Sequence, residues 1–520
     1  NNMSPPNCDP VSLLCSNSDC ESNHERSYFK FDVVSCTHVR EIIDKLRNNK
    51  ANDCCGVSVD LIKSIKDVII SPLTKLINNC IVRSTFPNCL KIATVIPIFK
   101  KGEKNNMGNY RPISLLPIFS KILEKNLYLQ LNSYLEQNNL ICRNQFGFRT
   151  GKSSSNAIID FVDGINDCLH QGKIASATFL DLRKAFDCVS HSVLIRKLYC
   201  YYLLPESCRL ISSFLGNRLQ RVIYNGELSE FATIRKGVPQ GSVLGPLLFL
   251  IYINDLPLHL QDTKCTLFAD DTSLLNSNNE YNDVLMQDRD TQTRATEWFI
   301  NNLLSINQDK TVRMLFSLKT STVKYSNMFS DHTLFLGINI DHKLNWNAQG
   351  IAVSHKLSSV TFLLRQLKDK VSLTILKTAY FALFQSTLLY GILVWGHSHI
   401  RHLIFKLQRR VIRVMSGLNY RADCRQSLYI FSSLMYVKQN FQDYYCHADT
   451  HKYYTRHRNN LISKHNRLTC TQNCTRYYGV KFFNMLPPNV RILPLPKFKK
   501  QVRSFVIRNC FYSFEDYFLC

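Results

Sequence analysis

Acidic residues are scarce in this sequence compared with basic ones. The 520 residues include 64 Lys and Arg but only 39 Asp and Glu, which gives a formal net charge of +25 at pH 7. Such an imbalance favours polyanionic partners, with nucleic acid as the most common case and an anionic membrane as the alternative. The excess is uneven, since residues 401–520 hold 21 Lys and Arg and 5 Asp and Glu, a net charge of +16.

Densely paired cysteines are also lacking, although the sequence contains 20 cysteines. They are scattered, and none lies between Cys265 and Cys424. A small disulfide-stabilised scaffold needs closely spaced pairs in a short chain, so the pattern excludes that class. We expect reduced thiols in an intracellular protein, located in the nucleus, in a cytoplasmic ribonucleoprotein, or in both.

A secretion signal is the third absence. The chain opens with Asn1, Asn2 and Met3, without the basic and then apolar stretch that marks a signal peptide. Secretion is therefore not expected. The missing initiator Met predicts that the sequence is a fragment of a longer polyprotein.

Uninterrupted apolar segments long enough for a membrane are lacking as well. Residues 378–400 contain no Asp, Glu, Lys or Arg, and about 20 apolar residues can span a bilayer. Polar or small residues interrupt this run at Gln385, Ser386, Thr387, Gly391 and His397. We therefore predict a buried helix and no membrane partner, with a membrane span as the alternative.

The order of local patterns predicts a mixed α+β fold. Residues 1–36 lack periodicity and are typical of a loosely ordered leader, and Thr37 then predicts the N-cap of a helix. Residues 92–99 (IATVIPIF) predict a strand, and the sequence after about residue 340 is mostly helical in pattern. This mixture favours an α+β body built around an antiparallel sheet.

Three carboxylates stand at the ends of predicted strands. Asp181 ends an apolar strand that starts near Ala175, and Asp270 and Asp271 form the tip of a predicted hairpin, residues 265–275. Nucleotide polymerisation uses two divalent ions about 4 Å apart, which converging carboxylates can hold. The alternative is that these acids are solvated or cap a helix, as acids at turns often do.

Several distinctive sequence blocks follow one another along the chain. They are 179–191 (FLDLRKAFDCVSH), 236–249 (KGVPQGSVLGPLLF), 268–271 (FADD) and 335–338 (FLGI), with Trp298, Phe299, Asn302, Leu304, Asn307, Lys310 and Thr311 before the last of them. In order and spacing, these blocks resemble the reverse transcriptases of non-LTR (LINE-type) retrotransposons, including the jockey-like elements. The resemblance spans roughly residues 86–509.

This resemblance implies a right-hand polymerase fold, with fingers, a palm that contains the antiparallel sheet, and a helical thumb. It assigns residues 37–145 to an N-terminal extension and fingers, and residues 94–340 to the fingers and palm core. The thumb is expected in residues 341–425, and a basic C-terminal helical extension in residues 426–520.

The resemblance also implies roles for individual residues. The residues expected to be catalytic and to bind metal are Asp181, Asp270 and Asp271, the last with a less direct contact. Those expected to bind the dNTP are Phe186, Gln240, Gly241, Lys100 and Arg111, with Lys101 beside them. Lys310 is a candidate general acid for pyrophosphate. The primer grip is expected at Leu336, Gly337 and Ile338. The remaining nucleic-acid contacts are expected from Arg149, Lys406, Arg409, Arg410 and Arg413.

Structural alternatives stand beside several of these roles. As a steric gate, Phe186 would lie against C2′ of the sugar and exclude ribonucleotides, whereas as a core residue it would only pack. The cations at 406, 409, 410 and 413 share one helical face, which solvent alone could also cover. Cys470 and Cys474 lack the second pair of ligands that structural zinc requires, so no zinc is expected.

The implied function is that of an RNA-directed DNA polymerase, a nucleotidyltransferase that adds dNTPs to a primer 3′-OH during target-primed reverse transcription. Two Mg²⁺ ions are the expected cofactors, with Mn²⁺ as a substitute. The expected partners are an RNA template, a DNA primer or target, and dNTPs, while the oligomeric state is not predicted. Two alternatives stay open: an RNA-dependent RNA polymerase, and a decayed or domesticated copy that binds RNA without catalysis.

Overall fold

The computed structural model describes residues 28–48, 52–318, 328–416, 427–450, 458–462, 475–509 and 514–519. In chain order its helices are α1 (Cys36–Asp44), α2 (Val59–Ser64), α3 (Lys66–Val82), α4 (Ile118–Gln137), α5 (Ser154–His170), α6 (Ala185–Cys188), α7 (His191–Cys200), α8 (Pro205–Leu215), α9 (Gly245–Ile253), α10 (Leu256–His259), α11 (Tyr281–Asn301), α12 (Asn347–Leu367), α13 (Leu373–Ala379), α14 (Ser386–Leu389), α15 (Ile392–Trp395), α16 (Arg401–Ser416), α17 (Ser427–Gln439), α18 (His447–Thr450), α19 (Thr475–Met485), α20 (Pro488–Arg491), α21 (Leu495–Asn509) and α22 (Phe514–Phe518). The strands are β1 (Ile92–Phe99), β2 (Tyr110–Leu115), β3 (Ile174–Leu180), β4 (Arg218–Tyr224), β5 (Glu227–Leu228), β6 (Ala232–Ile234), β7 (Lys264–Phe268), β8 (Asp271–Asn278), β9 (Val312–Phe316), β10 (His332–Phe335) and β11 (Ile338–Asp341). The mixed α+β class predicted from the sequence is confirmed.

These elements form three sheets. The first has the order β2–β1–β4–β5, with β6 also paired to β4, and β1 runs antiparallel to β2 and parallel to β4. The second has the order β7–β8–β3–β9, in which β3 and β9 are antiparallel. The third is the two-stranded pair β10–β11. The predicted strand at 92–99 is β1, and helices dominate after β11, as the sequence pattern predicts.

The chain divides into two compact units, each assembled from three segments. Unit 1 comprises Asn1–Lys152, Leu180–Leu274 and Arg289–Thr311, and unit 2 comprises the segments between and after them. Each unit has its own apolar core. The predicted site residues at positions 100–310 belong to unit 1, and those from 336 onward belong to unit 2.

Helix α9 is part of the unit 1 core. Its sequence GPLLFLIYI contains no charged residue, and every residue except Pro246 is buried. Because a helix that is apolar on all sides can be stable only inside a protein, this burial follows directly from its composition. Burying α9 in turn fixes the chain that enters it, residues 236–244.

The start of the described chain is more ordered than the sequence predicts. From Tyr28 the backbone is docked: Phe29 exchanges hydrogen bonds with Tyr202 and Leu204, and its ring is buried. The predicted leader therefore ends before residue 36 in the described structure. The cap of α1 is Ser35 rather than Thr37, because the Ser35 hydroxyl accepts a hydrogen bond from the backbone of His38.

The charge-free segment 378–400 lies in unit 2 and is not one buried helix. It runs from α13 through a π-helical turn, Tyr380–Gln385, into α14, and the helix then stops where Gly391 adopts a left-handed conformation with φ +65°. Phe384 is fully buried, whereas Phe381 is 56% exposed, so the segment packs with one face only. Among the described helices, none combines the length and the apolar character that crossing a bilayer requires.

Candidate functional site

Strands β7 and β8 meet in a two-residue turn, Ala269–Asp270, as the predicted hairpin requires. Ala269 adopts a left-handed conformation with φ +56°, and its backbone N–H donates to the side-chain oxygen of Gln145 at 3.0 Å. Gln145 is itself buried, and its oxygen also accepts from the N–H of Gly147 at 2.8 Å. The tip that carries Asp270 is therefore braced by the segment at 145–147.

Gly147 lies unusually close to this tip. A Cβ atom placed on Gly147 would be 2.4 Å from the backbone nitrogen of Ala269 and 3.0 Å from the carbonyl carbon of Phe268. Both of these are backbone atoms, which cannot rotate away as a flexible side chain could. Only a residue without a side chain permits this approach.

Asp181 follows the last residue of β3 and is held by a loop from further along the chain. The backbone N–H of Asn307 donates to the Asp181 carbonyl at 2.7 Å, and the Asn307 side-chain amide donates to the Asp181 carboxylate at 3.1 Å. The ammonium of Lys310 lies 3.3 Å from the same carboxylate oxygen. The predicted general acid is therefore adjacent to a predicted metal ligand.

A large open cavity of about 1520 Å³ lies in unit 1. Its lining includes most of the residues that the sequence assigns to catalysis and to dNTP binding. These lining residues are Lys100, Arg111, Asp181, Phe186, Gln240, Asp270 and Lys310. Residues separated by up to 210 positions in the sequence thus meet around one space.

Asp271 and Gly241 do not line this cavity. Asp271 is the first residue of β8 and is exposed, whereas Asp270 is half-buried in the turn. Gly241 contributes through its backbone: it has φ +120°, and a Cβ on it would lie 2.6 Å from the Ser114 carbonyl oxygen. The neighbouring peptide is fixed to β2 by a 2.7 Å hydrogen bond from the Ser114 N–H to the Gln240 carbonyl.

The carboxylates at the tip influence one another electrostatically. Burial raises the pKa of Asp270, the negative charge of Asp181 raises it further, and Arg111 and Lys100 offset part of the increase. Although Asp271 as a residue is exposed, partial burial of its carboxyl group and the charges of Asp270 and Asp181 raise its pKa to about 6. A nearby cation stabilises the ionised form of carboxyl groups that repel each other in this way.

Four carboxylates line the cavity, and two of them, those of Asp181 and Asp270, are the predicted metal ligands. In the described part of the chain, no group of three or more His, Cys, Asp or Glu side chains is arranged to hold a metal ion. Mg²⁺ in nucleotide-processing sites commonly uses one or two carboxylates, with substrate phosphates and water as the other ligands. The donor set therefore fits a divalent ion that arrives with a nucleotide. Cys470 and Cys474 lie outside the described residues.

The side chain of Gln240 is oriented by an acid that the sequence analysis does not single out. Its amide nitrogen donates to the Asp187 carboxylate at 3.0 Å. Asp187 also contacts the same loop through its backbone, since a Cβ on Gly237 would lie 2.7 Å from the Asp187 carbonyl oxygen. Burial raises the pKa of Asp187, and the hydrogen bond from Gln240 and the charge of Lys184 oppose this increase.

Phe186 lies both in the cavity wall and against the core. Its ring stacks on the buried ring of Phe249 in α9, with centroids 4.5 Å apart, and meets Phe148 edge-on at 6.2 Å. The hypothesis that Phe186 is a core residue and the hypothesis that it is a steric gate are therefore compatible. The stacking on α9 holds the ring in place, and Phe186 is also one of the residues that line the cavity.

Arg111 lies in β2, in register with Ile98 of β1, and Lys100 directly follows the last residue of β1. Both cations are exposed and line the cavity. Lys101 is exposed too but is not part of the lining. The pattern agrees with cations that point toward a phosphate-bearing ligand.

Arg149 has a different environment from the one predicted. Its guanidinium forms two hydrogen bonds with the Glu136 carboxylate, at 3.0 and 2.6 Å, and a third with the Cys142 carbonyl at 2.9 Å. Only 12% of the side chain is exposed. The guanidinium that was predicted to contact nucleic acid is thus paired with Glu136 inside the protein.

The remaining predicted residues lie in unit 2. Leu336 and Gly337 form the tight turn between β10 and β11, with φ +45° and +84°, and Tyr390 donates a hydrogen bond to the Leu336 carbonyl. Ile338 is fully buried in the core of this unit, so only the turn itself is accessible. In α16 the cations differ in exposure: Lys406 and Arg410 are exposed, and Arg409 and Arg413 are half-buried.

Comparison with known proteins is consistent with this site. Residues 98–340 match the family described as "Reverse transcriptase (RNA-dependent DNA polymerase)". The chain is 28% identical over 407 residues to the probable RNA-directed DNA polymerase from transposon BS of Drosophila melanogaster, a match that covers 74% of this chain and 45% of that protein. It is 28% identical over 454 residues to the probable RNA-directed DNA polymerase from transposon X-element of the same species, covering 82% and 49%.

The RNA-directed DNA polymerase from mobile element jockey of Drosophila funebris is 29% identical over 409 residues, covering 74% of this chain and 44% of that protein. The chain therefore spans less than half the length of these relatives. The resemblance identified from the sequence blocks is confirmed: residues 98–340 match the reverse transcriptase family, and a longer part of the chain is similar to RNA-directed DNA polymerases of transposable elements.

Proposed function

We propose that this chain copies RNA into DNA by adding dNTPs to the 3′-OH of a primer. The observation that carries the proposal is the unit 1 cavity, because carboxylates, cations and an aromatic ring from distant parts of the sequence line it together. Asp181 and Asp270 would hold divalent metal, with Mg²⁺ as the physiological ion and Mn²⁺ as a substitute. When bound, the metal lowers the pKa of the primer hydroxyl and neutralises charge on the leaving pyrophosphate.

The residues of the chain itself supply position and charge. Arg111 in β2 and Lys100, directly after β1, line the cavity. There they can bind the triphosphate, Arg111 as a planar fork and Lys100 as a point charge. Lys310 is held beside Asp181 at 3.3 Å, where it can donate a proton to the departing pyrophosphate. Gln240, fixed through its own backbone and side chain, can hydrogen-bond the incoming nucleotide.

In this proposal the elements correspond to the parts of a right-hand polymerase. The sheet β2–β1–β4–β5 belongs to the fingers, the sheet β7–β8–β3–β9 to the palm, and helices α12–α16 to the thumb. The turn at Leu336 and Gly337 is the primer grip, and the exposed cations Lys406 and Arg410 contact the backbone of the template–primer duplex.

Target-primed reverse transcription is the biological form of the reaction that we propose, by analogy with non-LTR elements. In that process the 3′ end of a nicked DNA target serves as the primer. The nick would be supplied by an endonuclease activity, which this proposal does not assign to the chain.

A primer-extension assay tests the proposed activity. We expect the purified chain to extend oligo(dT) on poly(rA) with dTTP and Mg²⁺, and to stop when EDTA removes the metal. Extension by UTP in place of dTTP would instead identify an RNA-synthesising polymerase. Failure to extend with any nucleotide, by protein that still binds the hybrid, would contradict the proposal.

Substituting the ring of Phe186 tests the sugar gate. We expect Phe186→Val to increase the ratio of ribonucleotide to deoxyribonucleotide incorporation by at least about tenfold, about 1.4 kcal/mol of discrimination, because the smaller side chain leaves space for a 2′-OH. The measurement is kcat/KM for dTTP and UTP. Phe148→Val is the matched control, since Phe148 contacts Phe186 but does not line the cavity. Equal relaxation in both variants would contradict the gate.

A further inference from the structure

The last long helix of the described chain, α21, presents a basic surface that no role assigned above uses. On one side, Phe498 and Val502 are fully buried and Val506 is 4% exposed, and the helix packs against α17. Most of its other described side chains are exposed, and its sequence contains cations but no acidic residue. These exposed cations are Lys497, Lys499, Lys500, Arg503 and Arg508.

This surface is more available to a ligand than the face of α16. Two of the four cations predicted on α16 are half-buried, whereas all five on α21 are exposed. Among the described residues, no carboxylate forms an ion pair with a cation of α21. A concentrated charge that the protein does not neutralise is available to a polyanion.

The distribution of the cations around the helix indicates what kind of polyanion fits. With about 100° of rotation per residue, Lys499 and Arg503 fall on one side of the exposed arc, Lys497 and Arg508 on the other, and Lys500 between them. A rigid duplex lying across a single helix meets mainly one line of residues, whereas a flexible single strand can bend around the arc. An anionic membrane fits less well, because the apolar face that would enter the lipid is already buried in the core.

We infer that α21 is a binding surface for the phosphate backbone of single-stranded RNA. The inference rests on the proposed function, in which a long RNA is the template, and it adds a contact outside the cavity. The surface binds without base specificity, since backbone contacts carry no sequence information. RNA held there stays associated while its primed end is copied.

The test compares two variants with equal loss of charge. Four substitutions on α21, K497Q, K499Q, K500Q and R503Q, are matched by four exposed cations elsewhere in unit 2, R365Q, K368Q, K370Q and K377Q. Fluorescence anisotropy measures binding of a 20-nucleotide oligo(U) RNA over a series of salt concentrations. We expect the α21 variant to bind at least about tenfold more weakly, with the slope of log K against log salt reduced by about 2, as for the loss of some three phosphate contacts.

Three results would overturn the inference: unchanged RNA affinity, an equal loss in the control variant, or a larger loss for a 20-base-pair DNA duplex or for phosphatidylserine vesicles than for RNA. Primer extension on a short poly(rA)/oligo(dT) hybrid separates this inference from the proposed function. We expect the α21 variant to retain that activity. A wild-type chain that binds RNA through α21 but extends no primer would refute the proposed function alone.

A second and independent inference concerns Asp187. An ionised carboxylate accepts hydrogen bonds but cannot donate one. Asp187 must therefore face the NH₂ group of Gln240 rather than its oxygen. The 3.0 Å contact therefore directs the carbonyl oxygen of Gln240 away from Asp187. The geometry points to Asp187 as a positioning residue, which makes Gln240 a hydrogen-bond acceptor toward the nucleotide.

A double-mutant cycle tests this role. We expect Asp187→Ala to increase KM for dTTP about tenfold with little change in kcat, and Asp187→Asn to recover part of the loss because its oxygen can still accept. In a Gln240→Ala background, removing Asp187 should have little further effect, since residues that act through one contact are not additive. Additive losses in the cycle would overturn the inference, and so would a loss confined to kcat that accompanies a lower melting temperature. Neither result would contradict the proposed function.

Discussion

Replacing Asp270 with Asn is expected to slow primer extension by at least about a thousandfold, about 4 kcal/mol in activation free energy. Asn has the same shape but no negative charge, and Asp270 is one of the two cavity-lining carboxylates to which the proposed function assigns the metal. Asp181→Asn should have a similar effect. We expect Asp271→Asn to have a smaller one, because Asp271 lies outside the lining. The measurement is the single-turnover rate of dTTP incorporation, with primer–template affinity determined separately.

Asp309→Asn is the matched control for these variants. Asp309 lines the same cavity, but its carboxylate is 88% exposed and lies 3.6 Å from Arg183. We expect its loss to change the rate less than about threefold, in line with the small contribution of an exposed ion pair. If Asp309→Asn were as damaging as Asp270→Asn, the effect would reflect the overall charge of the cavity. The assignment of metal ligands would then be wrong.

Gly147→Ala is expected to have the second largest effect, although position 147 bears no chemistry. The added Cβ would meet the backbone of Ala269 at 2.4 Å, so the hairpin tip must move. Misplacing a reactive group by about 1 Å can cost about a hundredfold in rate, and we expect a loss of that size. Overpacking should also lower the free energy of unfolding by about 1–3 kcal/mol.

Gly151→Ala separates the two effects of that substitution. Gly151 has φ +77°, so an alanine there is strained by about 1–2 kcal/mol, but no atom lies within 4 Å of the added Cβ. We therefore expect Gly151→Ala to lower the melting temperature without a comparable loss of rate. Were both variants to lose activity in proportion to their stability, the bracing of the tip would have no specific role.

Local patterns in the sequence were sufficient to find the carboxylates. An acid at the end of an apolar strand, or in a hairpin turn, is recognisable from its neighbours, and Asp181 and Asp270 line the same cavity. The same is true of α9, whose composition leaves no alternative to burial. Such features depend on residues within a few positions of each other.

Partnerships between distant residues could not be predicted in this way. Asp187 and Gln240 are 53 positions apart, and neither sequence block indicates that one side chain orients the other. Glu124 stands in a helix that could be exposed, yet it is fully buried and accepts hydrogen bonds from the N–H groups of Val243 and Leu244. The pairing of Arg149 with Glu136 also depends on tertiary packing, so the sequence could not predict it.

Backbone conformation accounts for the other differences. The charge-free run at 378–400 breaks because Gly391 adopts a left-handed conformation that ends the helix, and hydropathy does not report this. Helix α1 begins at Cys36 because Ser35 competes successfully with Thr37 for the capping position. The end of the helix at Gly391 and the start of α1 each depend on one or two backbone dihedral angles.

The division of unit 1 into three stretches of chain has a consequence for biosynthesis. The cavity takes Lys100 and Arg111 from the first stretch, Asp181 and Asp270 from the second, and Lys310 from the third. On a ribosome that adds about 5–20 residues per second, the second carboxylate emerges well before the ammonium that accompanies the first. A nascent chain halted before residue 310 would lack the ammonium beside Asp181, so the proposed general acid is the last of the cavity-lining residues to be synthesised.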